Sequence, residues 1–206
     1  MLRVIALFAS LTLPLQALAG DVAVSLRTAQ GKPIADAVVT LAAPRQGPIR
    51  FAWPYRMAQQ NLQFDPFVLV VPAGADVAFP NLDKVRHHVY SFSAAKSFEL
   101  KLYGRDETRV VRFDKPGVVP LGCNIHDSMV AFIVVVDTPF AAKTDAAGQA
   151  ILSGAPAGAS ALRIWHPYLR APDNALTATV TVPKDGVVRE TLVGDLRPPP
   201  EQRRAY

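Results

Sequence analysis

Cysteine is nearly absent from this chain, with one residue, Cys123, in 206. No internal disulfide can form, so packing alone must hold the fold. Long apolar runs are missing after the N-terminus. Val130 to Val136 is the most apolar later stretch, far short of the roughly 20 residues that span a bilayer, and it suits a buried strand. Charge of one sign does not dominate: the net charge is +5. The basic residues are scattered apart from Arg203-Arg204, with no basic stripe interleaved with aromatics. That excludes an evident nucleic-acid surface and leaves an acidic protein open as a partner.

The N-terminus reads as an export address. Arg3 gives a positive start, Val4 to Leu15 an apolar run, and Ala17-Leu18-Ala19 a small-residue cleavage site. Residues 1–19 are expected to be a signal peptide that is removed, placing the chain in the periplasm. A membrane anchor is the alternative, and the run is short for one.

Proline is abundant, at 18 residues, which disfavours long helices. Val22, Val24 and Leu26 alternate with small or polar residues, and Ala37 to Leu41 reads as the return strand of a hairpin. Pro44 to Gln63 reads as a connector with a helical turn near Met57 to Gln60. Strands are expected over Phe67 to Val71, Asp76 to Phe79, Arg86 to Phe92, Phe98 to Tyr103, Arg109 to Phe113, Val118 to Leu121 and Ala131 to Val136. A second set follows at Gln149 to Leu152, Ser160 to His166, Ala175 to Val182 and Val187 to Leu192. Many short strands joined by Gly/Pro/Asp turns specify an all-β sandwich. Residues 195–206, with Pro198-Pro199-Pro200, read as a disordered tail.

Asp145-Ala146-Ala147-Gly148, a strand, Pro156-Ala157-Gly158 and another strand resemble carboxypeptidase-regulatory-like, transthyretin-like β-sandwich modules. Gly31 to Val39 does so too. The expected organisation is one split sandwich, 21–43 with 138–194, and a second β-domain over 65–137 placed between its strands.

Chemistry concentrates in Gly122-Cys123-Asn124-Ile125-His126-Asp127-Ser128-Met129. Thiolate and thioether are soft ligands and imidazole is intermediate, a set suited to copper. A further histidine must come from elsewhere, and His87-His88 offers one. Adjacent strand residues point to opposite faces, so only one of the two reaches a given ion; His87 is preferred, with His88 the alternative. Three of the chain's 4 histidines and its only cysteine lie in these two segments.

Phe79-Pro80-Asn81-Leu82-Asp83, the His87-His88-Val89 strand entry and the Cys123-x-x-His126-x-x-Met129 loop together resemble cupredoxins of the plastocyanin and amicyanin kind. With its flanking module the chain is similar to exported proteins labelled methylamine utilisation proteins. The resemblance implies a cupredoxin-like Greek-key β-sandwich beside the transthyretin-like one. It implies one copper ion, Cu(I)/Cu(II), held by His87, Cys123, His126 and Met129, and a His126 edge near the surface for electron exit. Gly122 and Ala131 depart from the residues common in the family, and His88 stands where the family often has an asparagine that pins the two ligand loops.

The resulting expectation is a non-enzymatic, one-electron carrier in the periplasm. Copper storage or delivery without redox turnover uses the same ligands. A metal-free interaction module and a copper enzyme with an open coordination position are further alternatives. Zinc also suits Cys and His, and the methionine weighs against it. A Cys123 nucleophile with His126 lacks a protease signature. His166 reads as a packing residue, and Asp65, Asp83 and Asp127 as turn residues.

Overall fold

Val22, Val24 and Leu26 are buried while their neighbours are half-exposed, so β1 (Ala19–Arg27) has one apolar face. The computed structural model describes residues 19–43 and 47–199. Among them every regular element is a strand apart from a short 3-10 turn at Pro172–Asn174, so the protein is all-β. No helix among the described residues is long and apolar enough to cross a membrane. The expected signal peptide falls on residues 1–18, outside the described residues, and on Ala19, which opens β1.

β1 lies between β13 (Gln149–Pro156), antiparallel to it, and β16 (Val187–Val193), parallel to it. A four-stranded antiparallel sheet accompanies it, in the order β12 (Ala141–Lys143), β2 (Val38–Leu41), β14 (Gly158–Trp165), β15 (Ala175–Val182). The two sheets share one core, which includes Leu26, Leu41, Leu152, Leu162, Ile164 and Val180.

The intervening chain has its own core. β5 (Val68–Pro72), β11 (Val130–Val136), β10 (Gly117–Cys123), β7 (His87–Phe92) and β8 (Ser97–Tyr103) form a sheet in that order, antiparallel except for the β5–β11 pair. β6 (Ala75–Pro80) pairs with β9 (Thr108–Phe113). The hairpin of β3 (Ala58–Gln60) and β4 (Gln63–Asp65) joins β6 through the Arg56–Ala78 and Gln59–Asn81 bridges. The arrangement fits a Greek-key β-sandwich. Phe79, Phe113, Tyr103, Leu69 and Ile133 fill it.

Val68 to Pro72 is buried at every position because β5 is covered on both faces. Leu69 and Val71 face the inner core, while Val68 and Val70 enter a third cluster. That cluster also holds Val134 and Val136 of β11 and Val38, Ala141 and Trp165 of the first pair of sheets. Trp165 meets the Phe132 ring edge-on at 5.6 Å between centroids.

Four sequence expectations need correction. β1 and β2 are not a hairpin but lie in different sheets. Both carry apolar faces that must be buried, and Pro33 has no N–H for a continued ladder. Met57 to Gln60 is not helical: Ala58–Gln60 is strand, with Gln59 fully buried and accepting the Tyr103 hydroxyl proton. The sequence alternates Phe98, Leu100 and Leu102 against Glu99, Lys101 and Tyr103, and the expected inward face fails at the end of β8, where Leu102 is exposed and Tyr103 buried. A register shift there sets His87 opposite Tyr103 but Val89 opposite Leu100. Finally, the tail does not begin at residue 195. Asp195 accepts the Arg170 N–H at 2.8 Å and Arg197 donates to the Tyr168 carbonyl at 2.9 Å; residues 200–206 lie outside the described residues.

Candidate metal centre

β7 and β10 are neighbours, with Cys123 registered against Val89. That pairing brings His87, the first residue of β7, close to Cys123, the last of β10. The chain then loops from Asn124 to Met129 into β11, and the Met129 N–H donates to the His126 carbonyl at 2.9 Å. Asn124 N–H reaches the His88 carbonyl at 3.4 Å, so the main chain itself pins one ligand segment to the other.

The side chains converge. Cys123 Sγ lies 3.9 Å from His87 Nδ1 and 3.7 Å from His126 Nδ1. The three donor atoms lie within 4.8 Å of one another. Bonds of about 2.0 Å to nitrogen and about 2.3 Å to sulfur, at near-trigonal angles, place N and S about 3.8 Å apart, so the donor set fits a single ion. His87 and Cys123 are 0% and 3% exposed, Met129 1% and within the same core cluster, and only His126 is partly exposed. This burial leaves a Cys123 nucleophile no open approach for a substrate.

His88 points away. Its Nε2 is 2.8 Å from Glu99 Oε1, close but without the angle of a hydrogen bond. Gly122, the residue flagged beside the cysteine, accommodates Tyr90: a Cβ there would come 2.8 Å from the Tyr90 ring. Phe98, on β8, packs on Phe79 and Phe113.

Sequence reasoning passed over Asp83. Its Oδ2 lies 2.8 Å from His87 Nε2, on the far side of the ring from Cys123. Burial is the largest effect on both groups. It lowers the His87 pKa, with the His126 charge reinforcing and Asp83 opposing. In Asp83 burial acts upward, but hydrogen bonds from His87, Leu62 and Asn61 outweigh it and leave the carboxyl below its ordinary range. Above about pH 6.5 the contact is therefore mainly a neutral imidazole donating to a carboxylate. The only sequence signal for it was the Asn81-x-Asp83-x-x-x-His87 spacing, which reads equally well as a turn.

His166 stands apart from this centre. Its Nδ1 accepts the Tyr168 N–H at 3.2 Å, and burial lowers its pKa against the pull of Asp36. His87 and His166 thus both bind protons less readily folded than unfolded. Stability of the metal-free protein is expected to be level above about pH 6.5 and to fall as pH drops from there toward the lower folded values. Urea midpoints at about pH 7.5 and about pH 5 measure the fall. His166→Asn keeps an acceptor without titrating and should shrink the difference; an unchanged difference would assign the acid sensitivity to other groups.

No family model matches the sequence, and no curated protein does. Among solved structures the chain is similar to a purple cupredoxin from Nitrosopumilus maritimus, at 20% identity and TM-score 0.36, covering 39% of this chain and 98% of that one. It is similar to a Cu-containing nitrite reductase (NirK) from Thermus scotoductus SA-01, at 24% identity and TM-score 0.40, over 56% of this chain and only 28% of that one. It is also similar to a reduced Cu(I) form of an amicyanin mutant, at 14% identity and TM-score 0.38, over 48% of this chain and 98% of that one.

Proposed function

We propose that this chain is an exported, periplasmic copper protein that carries single electrons. His87, Cys123, His126 and Met129 would hold one ion. The observation that carries the reading is the convergence of two imidazole Nδ1 atoms on a buried thiol at 3.7 Å and 3.9 Å. A buried thiol and a buried methionine at the two ends of one loop, in one core, favour copper over zinc. Bound copper supplies the one-electron couple. The protein's part is to exclude water and to keep the donors still: β10 and β11 clamp both ends of the loop, and His87 is fixed at its far nitrogen. A site that rearranges little on electron gain or loss transfers electrons quickly. His126 alone presents an edge to solvent, the side a redox partner would approach. The organisation proposed is a transthyretin-like sandwich from 21–43 and 138–194 carrying a cupredoxin-like domain over 65–137.

The test is Cu(II) titration of the metal-free chain from Gly20 onward, followed by visible absorption and electron paramagnetic resonance. One equivalent should give an intense visible band and narrow hyperfine splitting, both lost in Cys123→Ser. A colourless protein that binds only Cu(I) tightly would replace electron transfer with copper storage or delivery. No binding of either ion would end the metal reading.

A further inference from the structure

The β3–β4 hairpin turns through Asn61 and Leu62, both with φ of 57°. That left-handed conformation is costly for leucine. It directs two successive main-chain N–H groups at one carboxylate: Asn61 donates to Asp83 Oδ1 at 2.7 Å and Leu62 to Oδ2 at 3.1 Å. Consecutive amides in such a turn form an anion-binding concavity. Asp83 is held from its own side as well, because its N–H donates to Asn81 Oδ1 at 2.9 Å. Asn81 is fully buried, and its Nδ2 donates to the carbonyls of Val85 at 2.8 Å and Tyr103 at 3.0 Å. With both oxygens engaged by amides, Asp83 Oδ2 still faces His87 Nε2 at 2.8 Å.

An ionised carboxylate only accepts hydrogen bonds, so the proton of the neutral His87 ring sits on Nε2. Nδ1, the nitrogen facing Cys123, is then left with its lone pair bare. Without Asp83 the two tautomers would compete, and the one with a proton on Nδ1 cannot bind an ion through that nitrogen, the one that faces Cys123.

We propose that Asp83 is a positioning residue that fixes His87 as an Nδ1 ligand and makes the ring a stronger donor, and that the Asn61–Leu62 turn serves to hold Asp83. The second consequence rests on the copper reading above; the first does not. A carboxylate behind a ligating imidazole increases the ligand's basicity. The more electron-rich ring favours Cu(II) over Cu(I), so Asp83 lowers the reduction potential.

The first test uses the full chain from Gly20 without metal. Long-range proton–nitrogen correlation spectra of the His87 ring at about pH 8 should show one tautomer, protonated at Nε2. Asp83→Ala should show a mixture, and its Cu(II) affinity should fall about 10- to 100-fold. Asp83→Asn can keep an oxygen toward His87 while losing the charge. It should retain the tautomer, yet bind Cu(II) about tenfold more weakly relative to Cu(I), a rise in potential of about 59 mV. A His87 ring protonated at Nδ1 in the native protein would overturn the proposal with no metal present. An unchanged potential in a folded, copper-loaded Asp83→Asn would overturn the tuning role. Failure of native protein to bind copper, with the Nε2–H tautomer observed, would instead remove the copper reading and leave the positioning of the ring standing.

Discussion

Asn81→Ala is expected to destabilise the protein by about 3–5 kcal/mol, more than any exposed substitution. Asn81 is 0% exposed. Its side chain receives the Asp83 N–H and gives both amide protons to the carbonyls of Val85 and Tyr103. Truncation removes all three bonds, the one to Tyr103 buried and the other two part-buried, and each buried group so orphaned costs about 1–3 kcal/mol. The backbone at Asn81 also pairs with Glu107 and Asp106 across the neighbouring loop, so the cost is not relieved by local collapse. Urea denaturation should show a lower midpoint with little change in slope. A loss below about 1 kcal/mol would mean that the loop repacks and that Asn81 is dispensable. Asn81→Asp is a sharper variant, since an acceptor-only side chain cannot serve the two carbonyls.

The distribution of the site over the sequence explains which parts of it could be read there. Cys123, His126 and Met129 lie in one short loop, so their spacing alone suggests a common ion. His87 and His88 are separable because strand neighbours face opposite ways; the structure turns His87 toward Cys123 and His88 toward Glu99. The all-β class was legible from alternation and turn residues, and most strand positions agree to within a residue or two. Less legible was anything that depends on a distant partner. β1 and β2 look like a hairpin because local pattern does not say which sheet a strand joins. Gln59 looks like part of a helical turn until Tyr103, from β8, is found bonded to it. Asp83 looks like an ordinary turn residue because its partners, the Asn61 and Leu62 amides, belong to another hairpin. The left-handed turn that aims those amides carries no glycine to announce it.

Trp165→Ala is expected to cost about 3–5 kcal/mol, the range for removing a large buried aromatic side chain. Its particular consequence is a loss of coupling between the two halves. Trp165 is 4% exposed and sits in the cluster where Val38 and Ala141 meet Val68, Val70, Val134 and Val136. On the other side of those strands Leu69, Ile133 and Val135 enter the core that contains Cys123 and Met129. β5 and β11 are therefore shared walls, packed on one face against the metal centre's core and on the other against the outer sheets. A wall buried on both faces makes either half unstable without its neighbour, so native unfolding should be one transition by circular dichroism and by tryptophan fluorescence. Trp165→Ala should lower the midpoint and separate a second transition, seen by circular dichroism and by the remaining Trp53, whose Nε1 donates to the Val70 carbonyl at 2.8 Å. Trp165→Phe retains an aromatic contact with Phe132 and should lose less. A single, merely shifted transition in Trp165→Ala would show that the remaining valines suffice to couple the halves. Two transitions in the native protein would show that the shared wall does not join them, and the ligand loop's rigidity would then have to come from its own sandwich alone.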